Sequence, residues 1–276
     1  MNLVVQGEDV DSVALKNLAK TTGASAIEQI TAQAFRLVAG HDSEQVDSLC
    51  AEARLDWAWV PSGRKLADFG LFVTDMDSTL INIECIDEIA DMQGLKPEVA
   101  AITEAAMRGE IDFRESLTRR VSLLAGLPEA ALAEVYEQRL QLNPGAERLM
   151  RGLKASGLHT VLVSGGFTYF TERLKARLGF DEAHANELET HDGRLTGRVR
   201  GAIVDGAAKA AHLRHARERL GLKADQVIAA GDGANDIPML TEAGFAVAYR
   251  AKPVLRTVAD CRLDHVGLDG LLNLFA

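Results

Sequence analysis

Cysteine is scarce in this 276-residue chain, and Cys50, Cys85 and Cys261 stand far apart. That scatter excludes a disulfide framework and the paired spacing of a structural zinc site, and it fits a reducing cytoplasm. Positive charge is also short: 30 Lys and Arg face 40 Asp and Glu, the formal net charge is -10, and no basic run occurs. A nucleic-acid partner, which needs clustered cations along its phosphates, is therefore not expected. No apolar run approaches the length of a bilayer span, and Met1 to Val10, with Glu8 and Asp9, lacks the basic-then-apolar order of a signal peptide. No membrane role is expected, and the chain should remain in the cytoplasm. Internal repeats and low-complexity tracts are absent, and His159, His184 and His212 show no metal-ligand spacing.

What remains is the composition of an ordinary globular protein, with 47% hydrophobic and 25% charged residues. The length favours two folded units. Leu3–Val5, Ala26–Ile30, Ala34–Val38 and Trp57–Val60 read as strands, and Asp11–Lys20 and Ser43–Arg54 as helices. That βαββαβ order is that of a small α+β ferredoxin-like domain over residues 1–66. Pro61-Ser62-Gly63 breaks the pattern and forms a linker.

From Leu71 the pattern becomes α/β. Leu71-Phe72-Val73-Thr74 is a buried parallel strand ending in Asp75-Met76-Asp77. Helical stripes then fill a cap insertion at about 85–142, as in Phe113, Leu117, Val121 and Leu124. The α/β alternation resumes with a strand over His159–Val163 that ends at Ser164-Gly165-Gly166. A hairpin turning at Asp192-Gly193 follows, then a helix over Ala207–Leu220 and a strand over Val227–Ala230 that ends at Gly231-Asp232-Gly233. The expected architecture over residues 67–276 is a Rossmann-like parallel sheet core with a helical cap insertion.

Three strand ends thus bring Asp75 and Asp77, Ser164 and Gly165, and Asp232, Asn235 and Asp236 to one rim, where ligands bind in open α/β sheets. Carboxylates from separate strands suit a hard cation such as Mg2+. An Asp can attack phosphorus to give an acyl phosphate, and a second carboxyl group two residues on can pass the proton that the leaving alcohol needs. Taken singly, each feature has a plainer reading: Asp75 and Asp77 as helix caps, Ser164-Gly165-Gly166 as a tight turn, Lys209 as a solvated helix lysine.

Taken together they form a pattern. Asp75-Met76-Asp77-Ser78-Thr79, Val163-Ser164-Gly165-Gly166, Lys209 and Gly231-Asp232-Gly233-Ala234-Asn235-Asp236 resemble, in order, the four motifs of the haloacid dehalogenase-like phosphatases. The stretches Asp75–Asp91, Phe113–Gly126 and Ser164–Phe167 are similar to the phosphoserine phosphatase branch of that family, and the likeness extends from about residue 70 to the end. The resemblance implies Mg2+-dependent hydrolysis of O-phospho-L-serine, the last step of serine synthesis. It implies Asp75 as nucleophile and metal ligand, and Asp77 as general acid/base with its backbone carbonyl on the metal. Asp232 becomes a third ligand and Asp236 an orienting residue. Ser164, Gly165, Lys209 and Asn235 would contact the phosphoryl group or its surroundings. Glu84 would receive the substrate ammonium, Arg120 its carboxylate, and Met107 and Phe113 would close the pocket.

The small first domain resembles regulatory modules attached to bacterial members, although Gly7–Asp11 lacks their Pro-Gly ligand turn. Its βαββαβ order motivates the expectation that it pairs with a copy of itself in a homodimer. Two other functions stay open at this level: transfer of the phosphoryl group to an alcohol, or action on another phosphorylated amino acid or small phosphomonoester. A catalytically silent metabolite sensor is the reading from a different class.

Overall fold

The computed structural model describes residues 1–276, all but the side chain of Met107. The chain opens with β1 (Asn2–Gln6), α1 (Ser12–Thr22), β2 (Ala26–Thr31), β3 (Ala34–Val38), α2 (Gln45–Glu52) and β4 (Asp56–Val60). The strands form an antiparallel sheet of order β2-β3-β1-β4, so the expected ferredoxin-like unit is present. Its period-two pattern serves two cores. Leu3, Val5 and Leu37 pack under Leu15 and Leu18 of α1 and Val46 and Cys50 of α2. The intervening Val4, Ala58 and Val60 face the other way and join Phe69, Phe245, Leu271, Leu274 and Phe275. Both faces are therefore covered over β1 and its neighbours, whereas residues 26–29 of β2 are exposed, which leaves the β2 edge and the outer helix faces as the surfaces open to self-pairing.

A buried carboxylate locks the two cores together. Asp56, at the start of β4, accepts the backbone N–H groups of Asp264, His265 and Val266, each at 2.9 Å. Burial pushes its carboxyl up, and the three donors oppose that push. Asp56→Ala would strand those N–H groups, and a loss of about 2 kcal/mol is expected. A urea midpoint equal to that of the parent chain would overturn this account.

The larger unit starts with β5 (Leu71–Thr74) and a run of cap helices, α3 (Cys85–Met92), α4 (Lys96–Met107), α5 (Phe113–Ser122) and α6 (Ala130–Gln138). The chain leaves for the cap and returns side by side, bridging Ile81 to Leu142. Next come α7 (Ala146–Ala155), β6 (His159–Phe167), α8 (Thr168–Leu178), β7 (Glu182–His191), β8 (Arg194–Arg200), α9 (Gly206–Arg219) and β9 (Val227–Gly231). The chain closes with α10 (Ile237–Thr241), β10 (Phe245–Tyr249), α11 (Pro253–Arg256), β11 (Cys261–Leu263) and α12 (Gly270–Leu274).

Seven strands form a sheet of order β11-β10-β9-β5-β6-β7-β8. Every neighbouring pair is parallel except β7 and β8. β9, β5 and β6 are adjacent at the centre, so the residues at their carboxyl ends meet. No described helix is long and apolar enough to cross a membrane.

Two of the expected strands differ in extent. β6 continues through Gly165 and Gly166 to Phe167, with a register shift against β7. β7 begins at Glu182, and its first residues pair in parallel with β6 before the hairpin starts. Its start was hidden because Glu182 and His184 serve a polar surface cluster with His159 and Arg219, not the apolar core.

Candidate active site

β5 is apolar and fully buried, and the Asp75 N–H still bonds to Ala230 O of β9 at 3.0 Å, so the carboxylate emerges at the rim of the sheet. The chain then folds back on itself, with the N–H groups of Leu80 and Ile81 donating to Met76 O at 2.9 and 3.0 Å. Asn143, where the chain returns from the cap, ties the turn by donating to Thr79 O at 2.8 Å and Ile81 O at 3.0 Å.

Asp75 is held asymmetrically. Its Oδ1 accepts from the Met76 N–H at 2.7 Å and lies 2.8 Å from Lys209 Nζ, whereas its Oδ2 has no protein donor among the described residues. Lys209 sits in the first turn of α9, which is capped by the Asp205 carboxylate accepting from the Ala208 N–H at 2.9 Å. Its ammonium is buried and bridges Asp75 to Asp236, 2.8 Å from each. The two carboxylates raise the Lys209 pKa against the effect of burial, so it stays charged.

Asp236 is fully committed: Oδ1 to Lys209, and Oδ2 to the N–H groups of Asp232 and Gly233 at 3.1 Å each. This fold-back needs Gly231, where a Cβ would stand 2.5 Å from the Asp236 carboxyl carbon. Asp232 keeps one oxygen near the Thr79 hydroxyl, at 3.3 Å. Carboxylate oxygens of Asp75, Asp232 and Asp236 lie within 4.8 Å of one another.

So much negative charge in one buried place raises proton affinities. Burial first, then Asp236 and Asp232, push the Asp75 carboxyl up against the pull of Lys209. Burial, Glu84 and Asp75 push Asp77 up, and Asp232 is pushed up to about 6 by burial, Asp236 and Glu84. The Met76 N–H and the Lys209 ammonium, both on Oδ1, favour the ionised form of Asp75 against that push.

Above the carboxylates lies a cavity of about 270 Å3. It is lined by Asp75, Asp77 and Asp232 from the loops, Ser164 and Gly165 from β6, Asn235, and Glu84, Phe113 and Arg120 from the cap. The structure thus brings these sequence-nominated residues to one pocket, with Lys209 and Asp236 directly beneath. Met107 lies outside the described residues in its side chain. Ser164 Oγ accepts the Gly166 N–H at 2.9 Å, which leaves its proton free for a ligand oxygen. A Cβ on Gly166 would press on Met76 at 2.9 Å and on Asp77 Oδ2 at 3.0 Å, so the backbone approach itself excludes a side chain.

Sequence reasoning missed several residues here. Lys252 and Asp87 also line the cavity, and the Lys252 N–H holds Asp232 O at 2.8 Å. Buried Asn186 donates to Gly165 O at 2.8 Å and accepts the Val204 N–H at 2.8 Å, fixing the β6 turn. Lys252 and Asn186 are single polar residues outside the motifs, and Asp87, though inside the Asp75–Asp91 stretch, has no spacing that singles it out.

The donor set fits a hard cation. Asp75 and Asp232 offer carboxylate oxygens close together, at the base of the cavity. Such all-oxygen sites suit Mg2+ better than softer metals. Asp236, with both oxygens taken, orients the others.

Comparison with known proteins agrees with this geometry. The family model of haloacid dehalogenase-like hydrolases matches residues 72–241, and a domain of unknown function matches residues 3–46. A phosphoserine phosphatase of Polaromonas sp. is 56% identical over 215 residues, covering 76% of this chain and 91% of the relative. A solved Vibrio cholerae chain, described as a probable phosphoserine phosphatase in unliganded form, superposes with a TM-score of 0.87 at 36% identity, covering 99% of this chain and 86% of its own. A solved phospho-aspartyl intermediate analogue of phosphoserine phosphatase aligns with a TM-score of 0.70 at 39% identity, over 75% of this chain and 99% of its own. With matches of this extent, and with all four motifs meeting around one buried carboxylate cluster, the chain belongs to the haloacid dehalogenase-like hydrolase family and is a phosphatase.

Proposed function

We propose that this protein hydrolyses O-phospho-L-serine to L-serine and inorganic phosphate through an aspartyl phosphate on Asp75, the closing step of serine synthesis in the cytoplasm. One observation carries the reading. A single small cavity is lined at its base by Asp75 and Asp77 and on its cap side by Glu84 and by Arg120, whose Nε is buried and unpartnered. A phosphorylated amino acid has the complementary groups: a phosphate for the base, an ammonium for the carboxylate, and a carboxylate for the guanidinium fork.

Asp75 Oδ2, the oxygen without a donor, attacks phosphorus, and the bond from phosphorus to the seryl oxygen breaks. The leaving oxygen takes a proton from Asp77, whose carboxyl is pushed up by burial and the neighbouring carboxylates. Asp77, now ionised, takes a proton from water as that water attacks the phosphoryl group, and the bond from Asp75 to phosphorus breaks. Lys209 holds Asp75 in place and balances charge that builds on the transferring group, while Ser164 Oγ and the Gly165 N–H receive phosphoryl oxygens. Mg2+, held by Asp75, Asp232 and the Asp77 backbone carbonyl, would offset the repulsion between a carboxylate nucleophile and an anionic phosphate. Phe113, lining the cavity from α5, helps to exclude water over the bound substrate.

The test is phosphate release from L-phosphoserine and from p-nitrophenyl phosphate, with and without EDTA, in the parent chain and in Arg120→Ala. EDTA should stop both reactions. Arg120→Ala should lower kcat/KM for phosphoserine by about 100-fold, the scale of a lost charge-assisted pair, and lower the aryl phosphate far less. Equal losses for the two substrates would remove the amino-acid assignment.

A further inference from the structure

We propose that Asp87 is the residue that positions Arg120 for the substrate carboxylate, a role that rests on the phosphoserine reading above. Of the basic residues on α5, Arg114 and Arg119 are exposed and paired with Asp205 and Glu115. Arg120 instead turns into the cavity, and its Nε is buried without a partner. Across from α5, helix α3 starts after Glu84, and Asp87 follows one turn later, so both carboxylates lie on the same side of the helix. Both line the cavity.

Their capacities differ. Glu84 Oε1 already accepts from the Ser78 hydroxyl at 2.8 Å, whereas Asp87 Oδ1 is buried with no partner among the described residues. The pocket therefore holds a guanidinium nitrogen and a carboxylate oxygen, each inside the protein and each unsatisfied. Leaving such groups unpaired is costly, so the bound state should pair them. A guanidinium has five N–H donors in a rigid fork, enough to grip an incoming carboxylate with one edge and Asp87 with another.

The electrostatics agree with the geometry. Burial lowers the pKa of Arg120 and raises that of Asp87. Asp87 is the largest of the charges that oppose the shift at Arg120, ahead of Glu84 and Asp77, and Arg120 is the largest that opposes it at Asp87. Asp87 thus offsets part of the effect of burial on the guanidinium and aims it, while contributing nothing to phosphoryl transfer.

The experiment compares the parent chain with Asp87→Asn on three substrates. L-Phosphoserine carries both head groups, phosphoethanolamine keeps the ammonium but lacks the carboxylate, and p-nitrophenyl phosphate lacks both. For phosphoserine, KM should rise roughly ten-fold with little change in kcat, the scale on which loss of an outer-shell partner is felt. The losses for the other two should be several-fold smaller. In an Arg120→Ala background, Asp87→Asn should add almost nothing, because the group it positions is gone.

Equal losses on all three substrates would reduce Asp87 to a cap-stability residue and overturn the proposal. An equal loss for phosphoserine and phosphoethanolamine would overturn it too, by making Asp87 an ammonium acceptor, as would an unchanged KM. The underlying reading fails separately: it falls if the parent chain does not favour phosphoserine over phosphoethanolamine, whatever Asp87→Asn does.

Discussion

Asp75→Asn is expected to cut phosphate release from L-phosphoserine by about 10⁴-fold or more, as removal of a covalent nucleophile does elsewhere. The substitution is nearly isosteric. An amide oxygen can keep the two contacts made by Oδ1, from the Met76 N–H and Lys209, so the turn should persist. What disappears is the negative oxygen on the other side, which has no protein donor in the described structure and faces the reaction. The variant also removes one charge from a place where Asp75, Asp232 and Asp236 crowd together. Its melting temperature should therefore equal or exceed that of the parent, and the loss of activity cannot be ascribed to unfolding. Retention of more than a hundredth of the parent rate would mean that phosphorus is attacked by something other than Asp75.

Lys209→Met should lose on both counts. The ammonium is 2.8 Å from both Asp75 and Asp236, in a site closed to solvent, and the methionine would leave two buried carboxylates facing each other without a counter-ion. Breaking a buried pair in this way costs about 3–5 kcal/mol, which for a chain of this size corresponds to a fall in Tm of roughly 10 °C. The rate should drop by about 10²–10³-fold, the usual effect of removing one group that balances transition-state charge. Differential scanning calorimetry and a phosphate assay read the two losses separately. A melting temperature within a degree or two of the parent would show that the pair of ion contacts does not hold the site together.

The catalytic base of the fold was legible because its chemistry coincides with simple patterns. Buried parallel strands such as Leu71–Thr74 and Val227–Gly231 are short apolar runs, and carboxylates at their ends announce themselves. The cap helices show in the spacing of Phe113, Leu117 and Val121, which lie on one helix, α5. Resemblance alone set Asp236 apart from Asp75 and Asp232, and a physical ground for the distinction appears only in the structure, where its oxygens are occupied by Lys209 and two N–H groups.

The unread parts share a cause: their partners are distant in sequence. β11 is three residues long and flanked by charge, and α12 matters because it packs on Val4, some 270 positions away, through Leu271 and Leu274. Thr79, Asp87, Asn186 and Lys252 act as single side chains whose neighbours arrive from other elements. No periodicity marks such residues.

The shared packing of Val4, Ala58 and Val60 with Phe69, Phe245 and Phe275 makes the first sixty residues a structural cover for those aromatic rings. Any lineage that gains or sheds such a segment must rewrite the chemistry of the surface it uncovers, exchanging those rings for side chains that tolerate water.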